Sequence, residues 1–247
     1  MLDAERIKLS TTRSVLWTGA AVAVLSIGLA ALQASTAYGA APLPPEKAAM
    51  GVAVFGVPVL MVLAAMTVTA EYRSGMIRTT FMATPNRTLV LVAKAIVAAL
   101  FSAVYALAMT LASVMVGRLM APPLVGSNMS LVDPDMWRLV GAITLYAALT
   151  AVLGVGVAAL LRHSAGAVAV LLLWPLVVEP ILGNLPSIGS EVGPHLPFAN
   201  AFIFLRVQWL YPTYAMPWGE VGSLVYFAVI VAAVYAVAIV VLNRRDA

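Results

Sequence analysis

Residues 71–94 read EYRSGMIRTTFMATPNRTLVLVAK and set five charges between two runs apolar enough to cross a bilayer. Glu71, Arg73, Arg78, Arg87 and Lys94 carry those charges, and the flanks 48–70 and 95–117 contain no Asp, Glu, Lys or Arg. A helix of about 20 apolar residues spans roughly 30 Å of hydrocarbon, so both flanks qualify as membrane spans. The stretch between them reads as a docking element held at the membrane surface.

Working outward, charge-free runs also cover 14–45, 139–161 and 221–243. A shorter run from Ser164 meets Trp174-Pro175 and Glu179-Pro180, which predicts a span kinked or broken toward its far end. The expectation is an all-α integral membrane protein with six transmembrane helices, near 15–36, 49–70, 89–117, 138–161, 164–184 and 220–242. They form a single transmembrane domain over 1–247. Composition agrees: 63% hydrophobic residues and 10% charged residues, with a mean hydropathy of +1.01, do not describe a soluble domain.

Six spans place both termini on one side, and Lys and Arg accumulate on cytoplasmic flanks. Arg6, Lys8, Arg13, Arg73, Arg78, Arg87, Lys94, Arg162, Arg244 and Arg245 fall on one face, against Lys47, Arg118, Arg138 and Arg206 on the other. Both termini are therefore expected in the cytoplasm. The net charge of +4 is a topology signal, because the basic residues form no aromatic-interleaved patch of the kind that binds nucleic acid. A cleavable signal peptide is the competing reading of the N-terminus. The first apolar run is longer than a signal h-region, and its removal would spoil the charge asymmetry. No cysteine is present, so disulfides and thiolate metal sites are excluded.

Connections are unequal. Arg162-His163-Ser164 is a minimal turn, whereas the segment 180–219 holds six prolines and seven aromatics. That segment is expected as an irregular outer piece, with Phe198, Phe202, Phe204, Trp209, Tyr211, Tyr214 and Trp218 suited to the headgroup level. A second reading makes Glu179, Phe198 and Phe202 parts of an outer gate.

Chemistry is argued against. A phosphate-binding loop needs a Gly-Lys pair, and Lys8, Lys47 and Lys94 follow Ile, Glu and Ala. His163 and His195 lie on opposite expected sides without an H-E-x-x-H partner, so neither a catalytic set nor a metal site is expected. Lys94, just inside the third span, has a stem long enough to snorkel to the headgroups as an anchor or docking group, the alternative being a buried counter-ion. The twelve methionines are scattered and read as adaptable packing.

Within the opening stretch, residues 74–83 predict a two-turn amphipathic helix. Met76, Thr80 and Ala83 share one face with Ile77 and Phe81 beside it, and Arg73 and Arg78 lie mostly elsewhere. Gly75 loosens its start and Thr84-Pro85-Asn86-Arg87 ends it. Such a helix, lying along the membrane, suits a groove on a soluble partner; a plain membrane-surface helix is the blander reading.

These residues together resemble the permease subunits of ABC-2 type transporters, the small bacterial six-span kind with a separately encoded ATPase. Glu71, Gly75, Pro85, Arg87 and Lys94 are similar to that family's E-x-x-x-G…P-x-R…K pattern around its coupling helix. Glu5, Lys8, Thr12, Arg13 and Ser14 resemble its amphipathic interfacial helix before the first span. Leu196-Pro197-Phe198, Pro217-Trp218-Gly219 and the terminal Arg244-Arg245-Asp246-Ala247 look like further recurrent features.

The resemblance implies an exporter in the bacterial plasma membrane, built from two permeases and two ATPase subunits that bind ATP and Mg, with no cofactor on this chain. The segment 74–83, with Glu71, Arg73, Pro85, Arg87 and Lys94 around it, would couple to the ATPase. Spans one, two and five would line the path, which makes Leu16, Trp17, Phe55, Met61 and Trp174 candidates for contact with a hydrophobic or amphiphilic drug, lipid or peptide. The second permease is a copy of this chain or a relative. The alternative from another class is a non-transporting scaffold that docks a soluble partner.

Overall fold

The computed structural model describes residues 5, 7, 13–37, 43–122, 129, 132–208, 211, 212, 214 and 216–244. Described residues are overwhelmingly helical, and none of them forms a strand. In chain order the principal helices are α1 (Arg13–Ser35), α2 (Val57–Ser74), α3 (Met76–Ala83), α4 (Arg87–Met120), α5 (Pro134–Leu161), α6 (Ser164–Leu173), α7 (Glu179–Asn184), α8 (Pro197–Leu205) and α9 (Gly219–Arg244). Single helical turns at Pro45–Ala48 and Ile188–Val192 punctuate the loops. Among the described residues six helical stretches are long and apolar enough to cross a membrane, and the chain is an all-α, multi-pass membrane protein.

Two of the six stretches contain a wide turn beside a proline. A π turn at Val52–Gly56 runs directly into α2 just before Pro58, and another at Trp174–Val178 contains Pro175 and joins α6 to α7. Proline lacks the N–H that an α turn would use, and a π turn absorbs the missing bond while the helix continues. The fifth span is therefore not broken at Trp174-Pro175: helix persists from Ser164 to Asn184.

Burial is deepest in α2 and α5. They approach so closely that a Cβ on Gly154 would overlap the carbonyl oxygen of Met61, so glycine is what lets the two backbones meet. Leu60, Ile143, Tyr146 and Phe227 fill the core around that contact.

Each end of the bundle has its own polar network. Arg87 and Arg162 lie at the end that carries α3, while Arg138, Arg206 and Glu220 meet at the end that carries α8. Glu5 and Ile7 are helical; Lys8 and Thr12 of the expected interfacial helix lie outside the described residues, as do Arg6, Trp209, Arg245, Asp246 and Ala247.

Candidate functional site

The expected docking element begins where α2 stops. Gly75 takes φ +72°, a left-handed conformation that costs glycine little, and it closes α2 with a bond from its N–H to the Tyr72 carbonyl. The next residue already starts α3, so one glycine forms the whole corner. Asn86 opens α4 on the far side by accepting from the Leu89 N–H at 3.0 Å.

Lys94 does not snorkel. Its side chain is 1% exposed, and its Nζ donates to Glu71 Oε1 at 2.7 Å, to Glu5 Oε1 and Oε2 at 3.1 and 3.0 Å, and to the Thr67 carbonyl at 3.3 Å. Two buried carboxylates at this distance hold the ammonium inside the protein instead of releasing it to headgroups. Glu71 and Lys94 therefore belong to a buried cluster that ties the N-terminal segment, α2 and α4 together, not to an exposed partner surface. Glu71 and Glu5 stand 23 and 89 positions away from Lys94 in the chain.

The faces of α3 also differ from expectation. Ile77 is 6% exposed and Phe81 half-buried, and both turn toward Val68, Tyr72, Val90, Leu91 and Leu242 at the foot of the bundle. Arg87 seals this face: its guanidinium lies 5.2 Å from the Phe81 ring centroid and donates to the Leu242 carbonyl of α9. Arg162 covers the Tyr72 ring in the same way. Met76, Arg78, Thr79 and Met82 are left facing outward, with Met82 75% exposed. Thr80 is half-buried, whereas Arg73, Ala83 and Pro85 are exposed. Met82 and Thr79 were not singled out from the sequence, although their spacing from Ile77 and Phe81 places them opposite that pair on a helix.

The expected path residues differ in exposure. Leu16 and Trp17 lie exposed on α1, Trp174 is partly exposed on its π turn, and Phe55 is half-buried. Met61 is fully buried against α5.

At the opposite end the outer residues are structural. Glu179 is fully buried: Oε1 accepts from the Trp174 indole at 2.8 Å, and Oε2 accepts from the N–H groups of Phe198 and Ala199 at 2.9 and 3.1 Å. Those two amides belong to the first turn of α8, whose N–H groups have no partner within the helix, so a carboxylate from α7 caps it. Glu179 is thus held inside the protein as the acceptor at the start of α8. Phe198 and Phe202 are buried too, packed with Phe227, Tyr146 and Tyr211, and so leave the expected headgroup belt.

Asn200 adds a second anchor inside α8, donating to the Pro194 and Leu196 carbonyls and accepting from the Trp218 indole. The far end of α8 is held by Glu220, which pairs with Arg206 and with Arg138, both at 2.9 Å. Hydrogen bonding to Glu220 raises the Arg206 guanidinium above its ordinary value. Burial pushes the Tyr211 phenol up, and that neutral hydroxyl donates to the Pro175 carbonyl at 2.8 Å.

Among the described residues no group of His, Asp and Glu is arranged to hold a metal ion. A multi-pass helical bundle carrying a short amphipathic helix at one end is an all-α membrane protein. Residues 1–177 match the family described as ABC-2 family transporter protein, and the chain belongs to that family. Comparison with curated proteins returned no match.

Proposed function

We propose that the chain is the permease subunit of an ATP-driven exporter in the bacterial plasma membrane, paired with a second permease and with two ATPase subunits that bind ATP and Mg. Its termini and α3 face the cytoplasm, in line with the accumulation of Lys and Arg on those flanks. The reading is supported above all by the outward face of α3: Met76, Arg78, Thr79 and Met82 are exposed on a helix whose inner face is packed into the bundle. Methionines with cationic neighbours on a rigid two-turn helix suit a groove on a soluble subunit.

Movement of that subunit would be passed through Gly75 into α2 and through the Lys94 cluster into α4. Hydrophobic or amphiphilic cargo is favoured by the apolar surfaces of α1 and the fifth span, including Leu16, Trp17 and Trp174.

Co-purification in mild detergent tests the reading. The tagged chain should recover a nucleotide-binding ATPase, and Met82→Glu with Arg78→Glu should lose it while the chain stays folded. Recovery of a partner without a nucleotide site would replace the exporter with the scaffold.

A further inference from the structure

The last turn of α9 is fastened to the corner that carries α3. Arg87 of α4 lies between them: its guanidinium sits 5.2 Å from the Phe81 ring centroid on α3, and its Nη1 donates to the Leu242 carbonyl on α9 at 3.3 Å. The last carbonyls of a helix have no partner within it, so this guanidinium also closes the end of α9. One residue further, Asn243 Nδ2 donates to the Thr88 hydroxyl of α4 at 2.9 Å. Leu242 is buried and borders the same small space as Ile77 and Phe81. Arg244, the final residue of α9, is exposed and enters no ion pair among the described residues.

The surface built this way carries one sign. Arg73, Arg78 and Arg244 are exposed, while Glu5 and Glu71, the acids described at the same end, are buried on Lys94. No Asp or Glu stands between Glu71 and Asp133 in the chain, or between Glu220 and Asp246. The flanking residues outside the described set add Arg6, Lys8 and Arg245 against Asp3 and Asp246, which leaves the sign unchanged. Retention of Lys and Arg on cytoplasmic flanks accounts for that sign. It does not require that one of the cations stand on a helix end tied to α3.

The packing of α3 selects between a membrane surface and a protein as occupant. A helix lying on lipid sinks its apolar face between the headgroups. Here that face, Ile77 with Phe81, is already packed on the bundle, and Arg78 and Thr79 stand outward beside Met76 and Met82. A mixed face of this kind suits a protein groove. A partner that grips it also meets the end of α9, because a single arginine side chain bridges the two helices. Exposed cations at the edge of an interface call for acid on the other side, and such pairs act on association rate and salt dependence.

We infer that the end of α9 is a second part of the docking surface: the ATPase subunit takes α3 into a groove and meets Arg244 with carboxylates at the groove's edge. This rests on the exporter reading, to which it adds a contact from a different helix and a charge for the partner's surface.

The ATPase recovered with the wild-type chain, identified by nucleotide binding, is titrated onto the immobilised full chain in detergent free of anionic lipid, at low and high salt. Arg244→Glu should weaken binding by about fivefold at low salt, the size of one exposed ion pair, and the difference should shrink at high salt. Arg244→Ala should fall between it and wild type. Lys47→Glu makes the same change of charge beside Arg206, at the opposite end of the bundle, and should leave binding as it is. Both residues are exposed, so Tm should not move. Binding unchanged by Arg244→Glu, an equal loss with Lys47→Glu, or binding that requires added phosphatidylglycerol would overturn the α9 contact. A wild-type chain that recovers no nucleotide-binding subunit would overturn the exporter reading and this contact together. Loss of the partner with Met82→Glu but not with Arg244→Glu would overturn this contact alone.

Discussion

Lys94 Nζ and Glu71 Oε1 lie 2.7 Å apart, and this contact closes the corner that carries α3, joining the last turn of α2 to the second turn of α4. With Glu5 on the same ammonium, one cation joins three segments. Removing it alone leaves two carboxylates in a site built for a charge. Lys94→Met is expected to cost on the order of 3–5 kcal/mol, read as a lower Tm in detergent. Adding Glu71→Gln should recover part of the loss. An unchanged Tm for Lys94→Met would contradict the cluster's structural role.

The two faces of α3 should separate stability from assembly. Phe81→Ala removes a half-buried ring from beneath Arg87 and should cost about 2 kcal/mol. Met82→Glu changes an exposed side chain and should leave Tm in place while partner recovery falls. If both variants behaved alike in the two assays, the division of faces would be wrong.

Glu179→Ala would leave the Trp174 indole and the Phe198 and Ala199 amides without their acceptor. The expected cost is about 2–4 kcal/mol. Hydrogen exchange should quicken at the first turn of α8 before it quickens in α5. Glu179→Gln keeps one acceptor oxygen and should fall between the two.

Arg206 and Glu220 are both partly exposed, so their pair should contribute no more than about 1 kcal/mol and should weaken in high salt. A cation whose folded value is raised gives its full contribution below its ordinary value and loses it only as pH climbs through the folded one. For an arginine that window lies above about pH 12, so its protonation should not alter stability across the neutral range. Arg206→Ala should therefore give a small loss of Tm that high salt diminishes, measured by thermal unfolding at low and high ionic strength.

The membrane spans could be read directly, because a bilayer demands long charge-free runs and α1, α2, α4, α5 and α9 have them. Proline was a poorer guide. Pro175 predicted a kink or a break, and a wide helical turn is what carries the chain through it, while Pro58 sits beside a second such turn that the sequence did not suggest.

Orientation was the main loss at the candidate site. Helical spacing groups Ile77 with Phe81, yet only the positions of Tyr72, Leu91 and Leu242 determine which face packs inward. Lys94 was misread for a similar reason: its nearest acidic partners stand 23 and 89 residues away. A lysine near the end of a span looks the same in sequence whether it meets headgroups or carboxylates. Glu179 hid its role because its partners are backbone amides, which no residue type announces.

The outer helix α8 rests on unequal supports. Its first turn is bound to a buried carboxylate from α7, and its last to partly exposed ion pairs with α5 and α9. Water and salt compete with the second attachment and not with the first. High salt should therefore loosen the Arg206 end of α8 first, while the Phe198 end, capped from α7 and packed on Phe227 of α9, stays closed.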